Sequence, residues 1–120
     1  MLGHMALGDL EREVMTQLWD AGEPLTVRQV HERLSRQRDL AYTTVMTVLD
    51  RLAKKGVVTQ HRVARAYTYA PAQTREEMTA SVMLDALSAT GDQDAALAYF
   101  VGQLPPEALR AAIEAAQRGR

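Results

Sequence analysis

The chain contains no cysteine, which excludes disulfides, cysteine-ligated zinc, iron–sulfur clusters and thiol catalysis. Large aromatics are scarce as well, with one Phe, one Trp and four Tyr in 120 residues. Ala, Leu and Val must then fill most of the interior, which favours closely packed helices. No apolar run approaches the ~20 residues that cross a bilayer, so membrane insertion is not expected. The N-terminus shows no basic region followed by an apolar stretch, so no signal peptide is expected and the cytoplasm is the default location. Gly3-His4-Met5 reads as a cloning remnant, and residues 1–5 carry none of the functional reading. His4, His31 and His61 are scattered, and Glu11 and Glu13 fall on different faces of one helix. No nucleophile, base and orienting group come together in this pattern. Neither an enzyme nor a metal or other cofactor is expected.

What the chain does have is an uneven distribution of charge. The formal net charge is −1. Residues 1–41 carry five Arg against seven acids, and residues 70–120 carry four Arg against seven acids. Residues 42–69 hold five Lys/Arg and the single acid Asp50. Attraction for phosphates depends on such a local patch rather than on the sum over the chain.

Hydrophobic periodicity places the elements. Leu7, Leu10, Val14 and Leu18 recur at spacings of three and four, with Met15 and Trp19 alongside, so a first helix is predicted from Leu7 to Trp19. Gly22-Glu23-Pro24 ends it. Thr26-Val27-Arg28-Gln29 matches a capping box opening a second helix whose buried stripe is Val27, Val30 and Leu34. A polar turn is predicted over 35–40, followed by a third helix from about Ala41 to Lys55. In that helix Val45, Val48, Leu49 and Leu52 share one sector. Thr43, Thr47, Asp50 and Lys54 lie opposite, flanked by Thr44, Arg51 and Lys55. Gly56 stands where a left-handed cap closes the helix.

Two strands are predicted next, Val57–Arg62 and Ala66–Ala70, joined by a tight loop at Val63-Ala64-Arg65 and ended by Pro71. A two-stranded hairpin alone is marginal in water, so it must pack on the helices before it. Thr74-Arg75-Glu76-Glu77 is a second capping box, opening a helix to about Ala89. Further helices are predicted from Ala95 to Gln103 and from Pro105-Pro106 to Ala116.

The expected fold is therefore mainly α with a small β-hairpin. It is a winged helix-turn-helix (three helices plus a wing) over 6–72, followed by a helical dimerisation region over 73–120. A helix fits the major groove, where base edges encode sequence, and phosphates take cations. Thr43, Thr44 and Thr47 suit base edges; Arg51, Lys54 and Lys55 suit phosphates. Arg28 and Tyr42 flank them, and Arg62 and Arg65 lie on the wing. Asp50 would repel phosphates unless it accepts from a cytosine amino group or pairs with Lys54. The expected partner is double-stranded operator DNA. The alternative is a winged-helix protein-interaction module without DNA binding, which should show exposed apolar residues on the third helix.

The C-terminal segment offers Met78, Val82, Met83 and Leu87, then Leu97, Phe100, Val101 and Leu104, then Leu109 and Ile113. A unit this small has too little interior to bury them alone. A two-fold partner is the economical solution, so a homodimer is expected. The competing arrangement folds these helices back on the winged helix.

Several of these segments together resemble the penicillinase-repressor family, the BlaI/MecI/CopY type, and most of all its BlaI members. They are Leu10-Glu11-Arg12-Glu13-Val14-Met15 leading to Leu18-Trp19, then Thr26-Val27-Arg28-Gln29-Val30, then Tyr42-Thr43-Thr44-Val45-Met46-Thr47-Val48-Leu49-Asp50-Arg51-Leu52 with Lys55-Gly56. Ala66-Tyr67-Thr68-Tyr69 before Pro71 is similar to the family's second wing strand. The match is good over 7–71 and looser beyond. The resemblance implies a repressor that binds palindromic operators of β-lactam-resistance or related stress genes as a homodimer joined through its C-terminal helices. It also implies a sensor-activated protease that cuts an Asn-Phe bond in the dimerisation region. The corresponding pair here is Tyr99-Phe100, in which Phe100 matches and Tyr99 departs from the pattern. Copper-responsive members carry paired cysteines, which this chain lacks.

Overall fold

The computed structural model describes residues 7–119; the expected cloning remnant and His4 lie outside them. The element order is α1 (Asp9–Ala21), β1 (Leu25–Thr26), α2 (Val27–Ser35), α3 (Tyr42–Lys54), β2 (Val58–Val63), β3 (Ala66–Pro71), α4 (Arg75–Ala89), α5 (Gln93–Gly102) and α6 (Pro106–Arg118). Contacts divide the chain into two units, Met1–Val82 and Met83–Arg120, with the division falling inside α4.

In the first unit, each helix ends where the chain can turn. α1 begins where the Glu11 side chain reaches back to accept from the Gly8 N–H (2.9 Å). It stops at Gly22, whose φ of 69° lies in the left-handed region. α2 opens on the expected capping box: the Gln29 N–H donates to Thr26 Oγ1 (3.1 Å) and the Thr26 N–H to Gln29 Oε1 (2.8 Å). α3 is closed by Gly56 at φ 78°, a conformation that a side chain would strain.

The three helices meet on one seam. Val14, Met15 and Leu18 of α1, Val30 and Leu34 of α2, and Val45, Leu49 and Leu52 of α3 are essentially inaccessible to solvent. Burying side chains of this size stabilises by about 1.5–3 kcal/mol each. Tyr69 is the aromatic residue that joins them, 4% exposed, its hydroxyl accepting from the Gln60 side chain (2.9 Å).

The sheet differs from the expected hairpin. β2 and β3 pair antiparallel with Val63 opposite Ala66, so the turn is the two residues Ala64-Arg65, with Ala64 at φ 57°. β3 runs through Pro71 at the sheet margin. A third strand, β1, adds to the other side of β3 in the order β1-β3-β2, with Leu25 opposite Tyr69. Two residues are too few to show an alternating pattern, yet β1 buries Leu25 and gives the hairpin the extra pairing that two strands lack.

The start of α4 also belongs to this unit. Thr74 and Glu77 form the expected box, with the Glu77 N–H donating to Thr74 Oγ1 (3.0 Å) and the Thr74 N–H to Glu77 Oε1 (2.9 Å). The Trp19 indole N–H donates to the Gln73 carbonyl (2.9 Å). The Arg75 guanidinium lies 5.4 Å from the Trp19 ring centre and pairs with Asp20 (2.9 Å). Met78, expected on the dimerisation surface, is instead 5% exposed in the core of the winged-helix unit. The first turns of α4 are anchored to α1, and that directs Met78 inward.

The second unit comprises the end of α4 with α5 and α6. α5 begins at Gln93 rather than Ala95 because Asp92 caps it, accepting from the Ala95 N–H (3.0 Å). Pro105-Pro106 opens α6 as expected, and the helix continues to Arg118. Neither α5 nor α6 contains a buried residue.

Candidate nucleic-acid interface

α3 presents a sharp boundary between inside and outside. Val45, Val48, Leu49 and Leu52 are buried, whereas Tyr42, Thr43, Thr44, Met46, Thr47, Asp50, Arg51 and Lys54 are exposed. The expected polar face is therefore open to solvent along its whole length, on a helix held by a sealed seam.

The hydrogen bonds on that face refine what each group can offer. The Thr47 hydroxyl donates to the Thr43 carbonyl one turn back (2.9 Å), so its oxygen turns outward mainly as an acceptor with its methyl. Asp50 pairs with Lys54 at 3.1 Å. That pairing resolves the tension noted in the sequence, since the acid is balanced on its own helix. Lys55 is drawn away from the face, its Nζ lying 2.8 and 3.1 Å from the Glu11 carboxylate oxygens. Burial alone pushes the Glu11 carboxyl up. The hydrogen bonds from Lys55 and from the Gly8 N–H, with the charges of Lys55 and Arg51, outweigh burial and hold the group below its ordinary value.

Arg51, Arg28, Arg62 and Arg65 are exposed and have no acidic partner within salt-bridge distance among the described residues. Arg28 stands on the first turn of α2, Arg51 in the last turn of α3, Arg62 on β2 and Arg65 in the wing turn. The Arg62 guanidinium sits 5.9 Å from the ring centre of Tyr67, its cross-strand partner. His61 is exposed on β2. His31 is structural: its Nε2–H donates to the Leu40 carbonyl (2.7 Å), and its ring meets Tyr42 edge-on at 5.7 Å.

Three exposed apolar side chains beside these groups escaped the sequence reading: Met46 (44%), Val63 (60%) and Tyr67 (45%). The spacing of Met46 from Tyr42, four residues on a helix, was the available signal. Among the described residues no helix is long and apolar enough to cross a membrane.

Three helices, a three-stranded sheet and an exposed basic hairpin after the third helix define a winged helix-turn-helix protein. The model of the penicillinase repressor family matches residues 7–115, and the chain belongs to that family. It is 55% identical over 119 residues to the transcriptional regulator BlaI of Mycobacterium tuberculosis, covering 94% of this chain and 86% of that one. The solution structure of the DNA-binding domain of the repressor BlaI is similar over 59% of this chain and 85% of that one, with TM-score 0.54 and 30% identity. The Bacillus licheniformis BlaI monomeric form, solved in complex with the blaP half-operator, is similar over 60% of this chain and 87% of that one, with TM-score 0.52 and 29% identity.

Proposed function

We propose that this protein is a sequence-specific transcriptional repressor that binds palindromic operator DNA as a homodimer in the cytoplasm. The observation that carries the reading is α3 itself, a helix fixed by four buried side chains whose open faces carry Thr43, Thr44, Thr47, Arg51 and Lys54, with Asp50 among them and the two apolar residues Tyr42 and Met46 on one flank. Thr43, Thr44 and Thr47 enter the major groove with Tyr42. Arg28, Arg51, Arg62 and Arg65 meet phosphates, while Lys54 lies on the same face paired with Asp50. Lys55 acts at one remove, by holding α3 to α1 through Glu11. A face of hydroxyls and cations suits a polyanion better than an apolar protein surface. The likeness to a half-operator-bound BlaI supports the same choice.

The homodimer is supported by the second unit. Met83, Leu97, Phe100 and Ile113 are each 44–50% exposed and Leu84 is 62% exposed, and Val82, the last residue of the first unit, is 44% exposed. Leu87, Val101, Leu104 and Leu109 are half-buried beside them. From Ala95 to Val101 α5 is apolar on every side, a pattern that belongs inside a protein. One carboxylate oxygen of Asp85 on α4 is sheltered from solvent without a hydrogen-bond partner among the described residues, a burden that a donor from a second chain would relieve. We place the regulated genes among those for β-lactam resistance or related stress, following the family. Relief by a sensor-activated protease at Tyr99-Phe100 would need α5 to open locally, because both residues lie within the helix.

The test is selection of bound fragments from genomic DNA by the full chain, followed by titration of the tightest site across a salt series. The expected outcome is a short palindrome bound by two chains. Four cations per half-site predict a slope of log K against log salt of about −3 to −4 for each half-site. Failure of the folded protein to enrich any sequence overturns the proposal.

A further inference from the structure

We propose that Met46 is a specificity-determining residue that reads the 5-methyl group of a thymine; this rests on α3 being the recognition helix. At ~100° per residue, α3 has three exposed strips around its buried seam. The strip opposite the seam carries Thr43, Thr47, Asp50 and Lys54. One flank carries hydroxyl and cation. The other flank carries Tyr42 and Met46, one turn apart and 45% and 44% exposed.

The central strip has less polar reading capacity than its residue types suggest. Asp50 and Lys54 neutralise each other at 3.1 Å, and the Thr47 hydrogen is engaged by the Thr43 carbonyl at 2.9 Å. The apolar flank gains weight accordingly. Along the base edges of the major groove, the exposed apolar group is the thymine methyl. A methionine suits it, being unbranched, flexible and tipped by a polarisable thioether. Its neighbour is already placed. The Tyr42 ring is held edge-on by His31 (5.7 Å), and His31 is tethered to the Leu40 carbonyl (2.7 Å). Tyr42 stands one turn before Met46 on the same flank, at the spacing where helical side chains are neighbours. Isolated exposed apolar residues are ordinary on protein surfaces. Two exposed apolar residues one turn apart on the helix that meets the bases, one of them in contact with His31, form a surface suited to an apolar feature of the groove.

The experiment uses the full chain and a palindromic duplex recovered from a random-sequence pool. Thymines are replaced by deoxyuridine one symmetric pair at a time, which removes the methyl and leaves the hydrogen bonding intact. Affinity is read by fluorescence anisotropy at fixed salt. The wild-type protein should lose about 4-fold per half-site at one position, roughly 15-fold for the symmetric pair. Met46→Gln should bind the thymine duplex more weakly and show no penalty for deoxyuridine at that position. Met46→Leu, which keeps an apolar tip, should retain the penalty. Both variants alter an exposed position and should keep the wild-type circular dichroism. A wild-type protein indifferent to every replacement overturns the inference, as does a selected duplex without thymine or a Met46→Gln variant with the wild-type penalty. Recovery of no duplex at all would instead remove the DNA-binding reading on which it rests.

Discussion

α3 and α5 are both rich in apolar residues and treat them in opposite ways. α3 buries Val45, Val48, Leu49 and Leu52, whereas α5 buries none of Leu97, Tyr99, Phe100 and Val101, and Tyr99 is 74% exposed. The same contrast holds for the units that contain them. The first has a closed core running from Val14 to Met78, with its polar groups outside. The second presents its apolar side chains to solvent. A unit with a sealed core can hold a rigid polar face by itself. A unit without one is completed only when another surface covers it. In the function proposed above, the difference divides the labour between reading DNA and bringing two readers together.

The largest effect should come from opening the sealed core. Leu49→Ala should lower the stability of the first unit by about 2–5 kcal/mol. Urea denaturation followed by the fluorescence of Trp19, which lies in that unit, measures this directly. The mirror experiment is Phe100→Ala. It should leave the Trp19 transition in place and weaken self-association by roughly 30-fold, read by sedimentation equilibrium. An equal loss of stability at both positions would break the contrast.

Smaller effects sharpen it at two backbone positions of the first unit. Gly56→Ala and Ala64→Gly should act with opposite signs, each by about 1 kcal/mol, because both residues adopt positive φ. Neither change should alter the dependence of unfolding on protein concentration.

The Glu11–Lys55 tie gives the smallest effect, with a defined pH sense. Glu11 has a folded pKa held below its unfolded value, so its contribution is present above the unfolded pKa. It is lost as pH falls through the depressed folded pKa. Glu11→Gln should therefore cost about 0.5–1 kcal/mol at neutral pH and nothing once the wild-type carboxyl is protonated. Denaturant midpoints measured across that pH range would show the two curves converging.

Much of the first unit was legible in the sequence because its signals are local. The seam of α3, the boxes at Thr26 and Thr74, and the glycines that end α1 and α3 all act within about one helical turn. What escaped depends on residues far apart. Lys55 meets Glu11 across 44 positions, and the Trp19 indole meets the Gln73 carbonyl across 54. β1 is too short to carry a period of its own, and its existence depends on β3. Met78 shows the same limit, since its spacing within α4 does not reveal that the first turns of that helix are anchored to α1. The exposure of Met46 was signalled only by its spacing from Tyr42, because a helical pattern separates two faces but does not say how wide the buried one is.

The measurement that tests the central claim most directly is amide hydrogen exchange of the full chain at protein concentrations spanning a hundred-fold. Protection of α1 to β3 should be independent of concentration, because that core is complete within one chain. Protection of α5 and α6 should rise with concentration if a second copy covers them as proposed. Equal, concentration-independent protection of both units would contradict the account.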